Sequence, residues 1–120
     1  MSLLVSFNSN HVEPVEASPE LQRIISGDPK WRSWLHFSEG DMTSGEWEST
    51  PGNWTIAYDK WEFFHILSGR GVVRGSDGSE IQLAPGAAGV IPPGFTGTWE
   101  VKETMRKRFF VRRVPADRGP

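Results

Sequence analysis

Glu62 is the residue of this sequence best suited to acid–base chemistry. It lies in the apolar stretch 61–67, where a strand would place it on one face with Phe64 and Ile66. A buried carboxylate is costly unless it is paired or hydrogen-bonded, and apolar surroundings can tune its protonation. Glu62 therefore has two interpretations. It is a candidate catalytic acid/base or anchor for a cationic ligand group, or it is a pocket-wall carboxylate satisfied by Lys107, an arginine or Tyr58.

Two other polar side chains are candidates for the same site. Tyr58 falls on the apolar face of a preceding strand, where its phenol could donate a hydrogen bond to a ligand or to Glu62. Lys107 falls on the apolar face of the last strand and needs an acceptor, which could be Glu62 or a ligand carboxylate. Each also has a plainer interpretation, Tyr58 as pocket lining without chemistry and Lys107 as a structural partner of Glu62.

The candidate ligand-binding set is completed by apolar and small residues of the same strands. These side chains could line an apolar cavity, and they could equally be ordinary core. The full set is Trp54, Ile56, Tyr58, Glu62, Phe64, Gly97, Trp99 and Lys107.

The three histidines do not suggest a metal site. His65 lies on the strand face opposite Glu62, and His11 and His36 are isolated. No two of them have metal-ligand spacing, and the chain has no cysteine to supply thiolate ligands or disulfides. These residues therefore give no sign of a metal site, and we expect no cofactor.

Composition excludes several classes of protein. At 120 residues the chain has the length of a single domain, and its net charge of -2 does not favour a general nucleic-acid binder. The basic run 106–108 would alternate inward and outward along a strand, so it makes no continuous patch. No window has the roughly 18 apolar residues of a membrane helix, and no signal peptide is evident. We expect a cytoplasmic protein that binds neither nucleic acid nor membrane.

The order of signals along the chain predicts one domain in three parts. Residues 1–30 should hold a first strand near 3–7 and one short helix after Ser18 and Pro19. Residues 31–114 carry turn residues between short runs rich in aromatic and β-branched residues, which indicates a barrel or sandwich of many strands. Asp77-Gly78 predicts a hairpin. Residues 115–120 should be a frayed tail.

Two segments resemble the two motifs of the cupin superfamily. Glu62 to Gly69 reproduces the E-x6-G part of the first motif, and Gly86, Pro92 and Gly94 reproduce the G-x5-P-x-G part of the second. With the stretches 47–52, 95–100 and 106–107, the chain resembles the third cupin domain family, small single-domain cupins related to (S)-ureidoglycine aminohydrolase. The resemblance covers residues 31–114 and implies an all-β, RmlC-like jelly-roll barrel.

The same resemblance shows where a metal would be held. Metal-binding cupins use two histidines and a glutamate of the first motif and a histidine of the second. Here those positions fall on Ile56, Tyr58, Glu62 and Gly97, so only the carboxylate remains. A catalytic divalent metal normally has about three protein ligands. The comparison therefore implies a cupin without a catalytic metal.

Three functions remain open from the sequence. The first is a cupin that binds a small metabolite in its barrel. The second is a metal-independent enzyme, aminohydrolase-like or isomerase-like, that uses Glu62 as acid/base. The third is a structural or regulatory module whose barrel is filled by side chains. Because the strand around Phe63 is apolar on both faces, we also expect a homodimer.

Overall fold

The computed structural model describes residues 4–114, and in that range it consists of nine β-strands and two short 3₁₀ turns. The predicted all-β class is confirmed, and the predicted tail at 115–120 lies outside the described residues. None of the helical segments in this range is long and apolar enough to cross a membrane. The strands are β1 (Val15–Ala17), β2 (Ile24–Gly27), β3 (Trp31–Glu39), β4 (Met42–Ser49), β5 (Gly52–Ala57), β6 (Lys60–Gly75), β7 (Glu80–Leu83), β8 (Ala88–Ile91) and β9 (Thr96–Arg113).

The two long strands β6 and β9 organise the barrel. They pair antiparallel along almost their whole length. The first half of β6 also pairs with β8 and its second half with β7, while β9 pairs with β5 and then with β4. Each long strand thus runs through two layers, β1-β3-β4-β9-β6-β8 and β2-β5-β9-β6-β7. This is the predicted jelly roll, a single curled sheet whose two halves face each other.

The long strands bend where their pairing register shifts, between Ile66 and Gly71. Gly69 lies at this bend with φ of 91°, a conformation that side-chain-bearing residues rarely adopt. A Cβ there would also overlap the carbonyl oxygen of Thr104 on β9. The motif glycine therefore allows β6 to pass from one layer to the other against its partner strand.

The core lies between the two layers and follows the predicted alternation. On β6, Glu62, Phe64 and Ile66 are buried, whereas Phe63 is exposed. Phe64 from one layer and Trp99 from the other meet edge to face, with ring centroids 5.5 Å apart. The buried cluster consists of Trp54, Ile56, Phe64, Ile66, Val73, Leu83, Ile91, Trp99, Val101 and Met105.

The N-terminal predictions need two corrections. Residues 4–8 form no strand, and the first strand is β1, which pairs with β3. The predicted helix is only a single 3₁₀ turn, Leu21–Arg23, because Ile24 and the residues after it pair with β5 as β2. Short helices are marginal without caps, and the residue preceding this turn, Glu20, makes no side-chain capping bond. The edge of the sheet instead pairs with Ile24, Ser26 and Gly27 of this segment.

Candidate functional site

A cavity of about 290 Å³ lies between the two layers of the barrel. Strands β3, β4, β5, β6 and β9 all contribute to its wall, together with the turn before β2 and the connection between β5 and β6. Its size is at the lower end of ordinary small-molecule sites. The lining residues are Arg23, Trp31, Ser33, Trp47, Trp54, Ile56, Tyr58, Lys60, Glu62, Trp99, Lys107, Phe109 and Val111.

Three polar side chains in the cavity wall, Tyr58, Glu62 and Lys107, are linked by hydrogen bonds, with Glu62 in the middle. The Tyr58 hydroxyl donates a hydrogen bond of 2.7 Å to Glu62 Oε1, and Lys107 Nζ donates one of 2.7 Å to Glu62 Oε2. The side chains of Glu62 and Lys107 are only 6% and 8% exposed, so this ion pair is buried. Both oxygens of the carboxylate thus have a donor, as a buried charge requires.

The phenol of Tyr58 stays protonated far into the alkaline range. Burial, followed by the charge of the Glu62 carboxylate and the hydrogen bond to it, raises the pKa of Tyr58 well above its usual value. The nearby Arg23 guanidinium opposes this shift without cancelling it. Tyr58 therefore acts in this site as a hydrogen-bond donor to Glu62.

Four of the indole rings that line the cavity pack together, and two of them lie against Lys107. Trp31, Trp47, Trp54 and Trp99, here called the tryptophan cluster, contact one another with ring centroids 5.3 to 6.1 Å apart. Lys107 Nζ lies 4.5 Å from the Trp47 ring centroid and 4.2 Å from that of Trp99. Both distances are within the range of cation–π attraction, which stabilises an ammonium away from water. The indoles thus hold Lys107 in place beside Glu62.

Two more cations mark the solvent side of the cavity, where Arg23 and Lys60 are partly exposed. Arg23 donates through Nε and Nη2 to the backbone oxygen of Thr55, at 3.1 and 2.9 Å. Lys60 Nζ lies 4.9 Å from the ring centroid of Tyr58. Within residues 4–114, neither cation has a carboxylate partner.

The structure brings most of the predicted site residues to one cavity. Those that line it are Trp54, Ile56, Tyr58, Glu62, Trp99 and Lys107. Phe64 and Gly97 do not. Phe64 is fully buried and packs against Trp99, and Gly97 lies so close to β6 that a Cβ would overlap the carbonyl oxygen of Arg74.

Sequence reasoning missed four important members of the site. Trp47 lies in one of the segments that carry the family resemblance, and it pairs with Lys107 across β4 and β9. Trp31 lies in a segment without clean alternation, since Trp34 occupies the opposite parity of β3 and is the more deeply buried of the two. No local sequence pattern marks Arg23 and Lys60 as site residues, because their positions at the cavity depend on how the turn before β2 and the start of β6 are placed in the folded barrel.

The donor set at the four positions of the metal-binding motif does not fit a catalytic metal. Ile56 has no donor atom, Tyr58 keeps its proton, and Gly97 cannot become a histidine unless β6 moves. The remaining carboxylate, Glu62, already binds the Lys107 ammonium at 2.7 Å. Among the residues that the structure describes, no group of three or more His, Cys, Asp or Glu side chains could hold an ion.

Comparison with known proteins agrees with the jelly-roll fold described above. A family model described as the EutQ-like cupin domain matches residues 36–109. This range includes both long strands of the barrel over most of their length, and with them Glu62, Trp99 and Lys107. A search of curated proteins found no match.

Several solved structures share the fold. A DUF861-family protein of unknown function from Pseudomonas syringae superposes with a TM-score of 0.75 at 24% identity over 83% of this chain, which spans 43% of that protein's length. A predicted oxalate decarboxylase from Thermotoga maritima gives 0.70 at 14% identity, covering 93% of this chain and 100% of that one. The EutQ protein of Clostridium difficile gives 0.62 at 16% identity, covering 81% and 80%.

Proposed function

The chain belongs to the EutQ-like cupin domain family, and from this premise we propose that it binds a small metabolite inside its barrel without a catalytic metal. The observation that carries the proposal is the cavity of about 290 Å³ with the hydrogen-bonded side chains of Tyr58, Glu62 and Lys107 on its wall. Ligand sites typically combine apolar and aromatic walls with a few placed polar groups. A barrel that served only as a structural module would be expected to fill this space with side chains.

In this proposal the Lys107 ammonium supplies the positive charge that an ion would supply in a metal-binding cupin. It lies against the one carboxylate that remains of the metal-binding motif, and two indole faces shield it from water. An ammonium has three N–H donors, and Glu62 accepts only one of them. Lys107 can therefore donate to a ligand atom while it still neutralises Glu62.

The alternative of a metal-independent enzyme with Glu62 as acid/base has less support. Both carboxylate oxygens of Glu62 already accept hydrogen bonds, so a substrate proton could reach Glu62 only after Tyr58 or Lys107 moved. The relation to (S)-ureidoglycine aminohydrolases stays a prediction from the sequence motifs. If the protein turned over a nitrogenous metabolite, and if Glu62→Gln abolished that turnover with folding intact, catalysis rather than binding would be the preferred function.

A thermal-shift screen of metabolites and divalent metals tests the proposal. A ligand that binds only the folded state at 100 times its Kd adds about 2.7 kcal/mol to the free energy of unfolding, which raises Tm by roughly 11 °C. Ser33 lines the cavity from β3, so Ser33→Phe should reduce the shift by filling the space. Ser38→Phe makes the same change at an exposed position of β3 and should leave the shift unchanged.

Two results would overturn the proposal. One is a screen in which Ser33→Phe and Ser38→Phe respond alike to each compound that shifts Tm, since binding would then lie elsewhere. The other is elemental analysis of purified protein that finds one tightly bound transition metal per chain. We expect no stoichiometric metal, and we expect added Mn²⁺, Fe²⁺, Ni²⁺ or Zn²⁺ to leave Tm unchanged in wild type.

A further inference from the structure

The charges that line the cavity are unbalanced. Three cations, Arg23, Lys60 and Lys107, face one carboxylate, Glu62. The buried pair of Lys107 and Glu62 is neutral as a unit. The excess positive charge therefore belongs to Arg23 and Lys60, which lie on the solvent side and have no carboxylate partner within the described part of the chain.

Both of these cations keep donors free for a ligand. Arg23 uses Nε and Nη2 to bind the backbone oxygen of Thr55, and no described residue accepts from its Nη1. The Lys60 ammonium contacts the face of the Tyr58 ring and donates to no described acceptor. Two cations that line one opening, each with N–H groups available, are suited to a carboxylate, which can accept from several donors at once.

The tryptophan cluster by itself would also suit a cationic ligand, because indole faces attract ammonium groups. In this protein, however, a cation of the protein itself already lies on the indole faces. Lys107 Nζ lies over the rings of Trp47 and Trp99, and Lys60 Nζ lies over Tyr58. A cationic ligand would meet the unpaired charges of Arg23 and Lys60 in a site partly withdrawn from water, while the charge of Glu62 is already neutralised by Lys107. The same residues therefore favour an anion over an amine or a quaternary ammonium.

The walls restrict the shape of the ligand. Trp31, Trp47 and Trp54 line the same cavity as Lys60 and Lys107, and their rings contact one another. Flat apolar groups bury large area against such rings. With about 290 Å³ available, the site is suited to a molecule smaller than an ordinary drug-sized ligand.

We propose that the cavity binds a small organic carboxylate with a planar apolar body, its carboxylate group against Arg23 and Lys60 and its body against the indoles of the tryptophan cluster that line the cavity. An acceptor atom at the far end of the ligand would receive a hydrogen bond from Lys107. This inference rests on the proposed small-molecule function and adds the chemical class of the ligand. It assigns Arg23 and Lys60 the role of recognising the anion.

Matched pairs of probes test the class. Acetate, benzoate and indole-3-acetate are each compared with the neutral amide of the same skeleton, and benzyltrimethylammonium serves as the cation. Binding is followed by the indole N–H signals in ¹H–¹⁵N correlation spectra, since four of the six tryptophans line the cavity. We expect benzoate or indole-3-acetate to bind at least tenfold more tightly than its amide, acetate to bind more weakly than either, and the cation not to bind.

Charge variants test the two residues. Lys60→Gln and Arg23→Gln should each weaken carboxylate binding roughly tenfold, as expected for a charged hydrogen bond at a partly exposed site. Lys102→Gln changes the net charge equally at an exposed position of β9 and should leave the affinity unchanged. The Tm of each unliganded variant confirms folding. If Arg23→Gln lowers Tm through loss of its bonds to Thr55, Lys60→Gln alone decides.

The outcomes separate this inference from the proposed function. If an amide or the cation binds as well as the acids, or if Lys60→Gln and Lys102→Gln have equal effects, the anion assignment is wrong although the cavity still binds ligands. If no probe moves an indole signal, the carboxylate class is also rejected. The metabolite screen with Ser33→Phe then decides independently whether the cavity binds anything.

Discussion

Removing the ammonium of Lys107 should destabilise the protein strongly. Lys107 donates at 2.7 Å to Glu62, and both side chains are less than a tenth exposed. In Lys107→Met position 107 keeps a side chain of similar length, but the Glu62 carboxylate remains buried, and Tyr58 is its one remaining donor among residues 4–114. Two indole rings also lose the cation that lies over them.

The size of the effect follows from the burial of the pair. Breaking a buried ion pair by removing one partner costs about 3 to 5 kcal/mol, chiefly because the other charge is left uncompensated. For a domain of this length, about 4 °C of Tm is lost per kcal/mol, so we expect a decrease of roughly 12 to 20 °C. Urea denaturation monitored by tryptophan fluorescence gives the free energy of unfolding directly.

A double-mutant cycle identifies the cause. In Glu62→Gln/Lys107→Met the buried charge is gone, and the Gln side-chain oxygen can still accept from Tyr58, so the double variant should be at least about 2 kcal/mol more stable than Lys107→Met alone. Lys102→Met, at an exposed position of the same strand, should change stability by no more than about 0.5 kcal/mol. A loss below about 1 kcal/mol in Lys107→Met, or a double variant no more stable than the single variant, would refute the argument that Lys107 stabilises the buried Glu62 carboxylate.

Two further predictions concern Tyr58 and the outer face of the barrel. Tyr58 is the only tyrosine in the sequence, and its pKa is raised, so the folded protein should show no tyrosinate absorbance near pH 10. The free energy of unfolding should fall as the pH rises above the phenol pKa of the unfolded state, because only the folded state then holds the proton. Tyrosinate formation near pH 10 in folded protein would contradict the hydrogen bond to Glu62. The homodimer remains a prediction, and exposed Phe63 lies beside exposed Val90 and Phe110 on neighbouring strands. Light scattering should show a dimer that Phe63→Glu converts to a monomer, and a monomeric wild type at the same concentration would disprove it.

Local sequence is sufficient to orient the principal polar residues. The period of two in a strand places Glu62 with Phe64 and Ile66, and it places Lys107 with Val111, whatever the strands pair with. The motif spacing between Glu62 and Gly69 further supports the resemblance to a cupin barrel. These features depend on a few neighbouring residues, and so the inward carboxylate, its lysine and the all-β class can all be predicted from local patterns along the chain.

The N-terminal helix shows where local signals are misleading. Pro19 and the spacing of Leu21, Ile24 and Ile25 favour a helix. In the structure, however, Ile24 pairs with the edge of β5, and Ile25 continues the same strand. Edge pairing satisfies the backbone of several residues at once, which an isolated helix of two turns does less well. The competing partner lies some thirty positions later in the sequence.

The composition of the cavity is decided by the tertiary structure. Trp31, Trp47 and Arg23 come to the site only because β3, β4 and β2 add to the sheet in particular registers and the sheet curls at Gly69. Gly97 is excluded from it by its closeness to β6. The sequence alone therefore determined which residue types face inward, since that depends on neighbours along the chain. Only the folded barrel determined which of them meet, because strand register and curvature arise from contacts between distant segments.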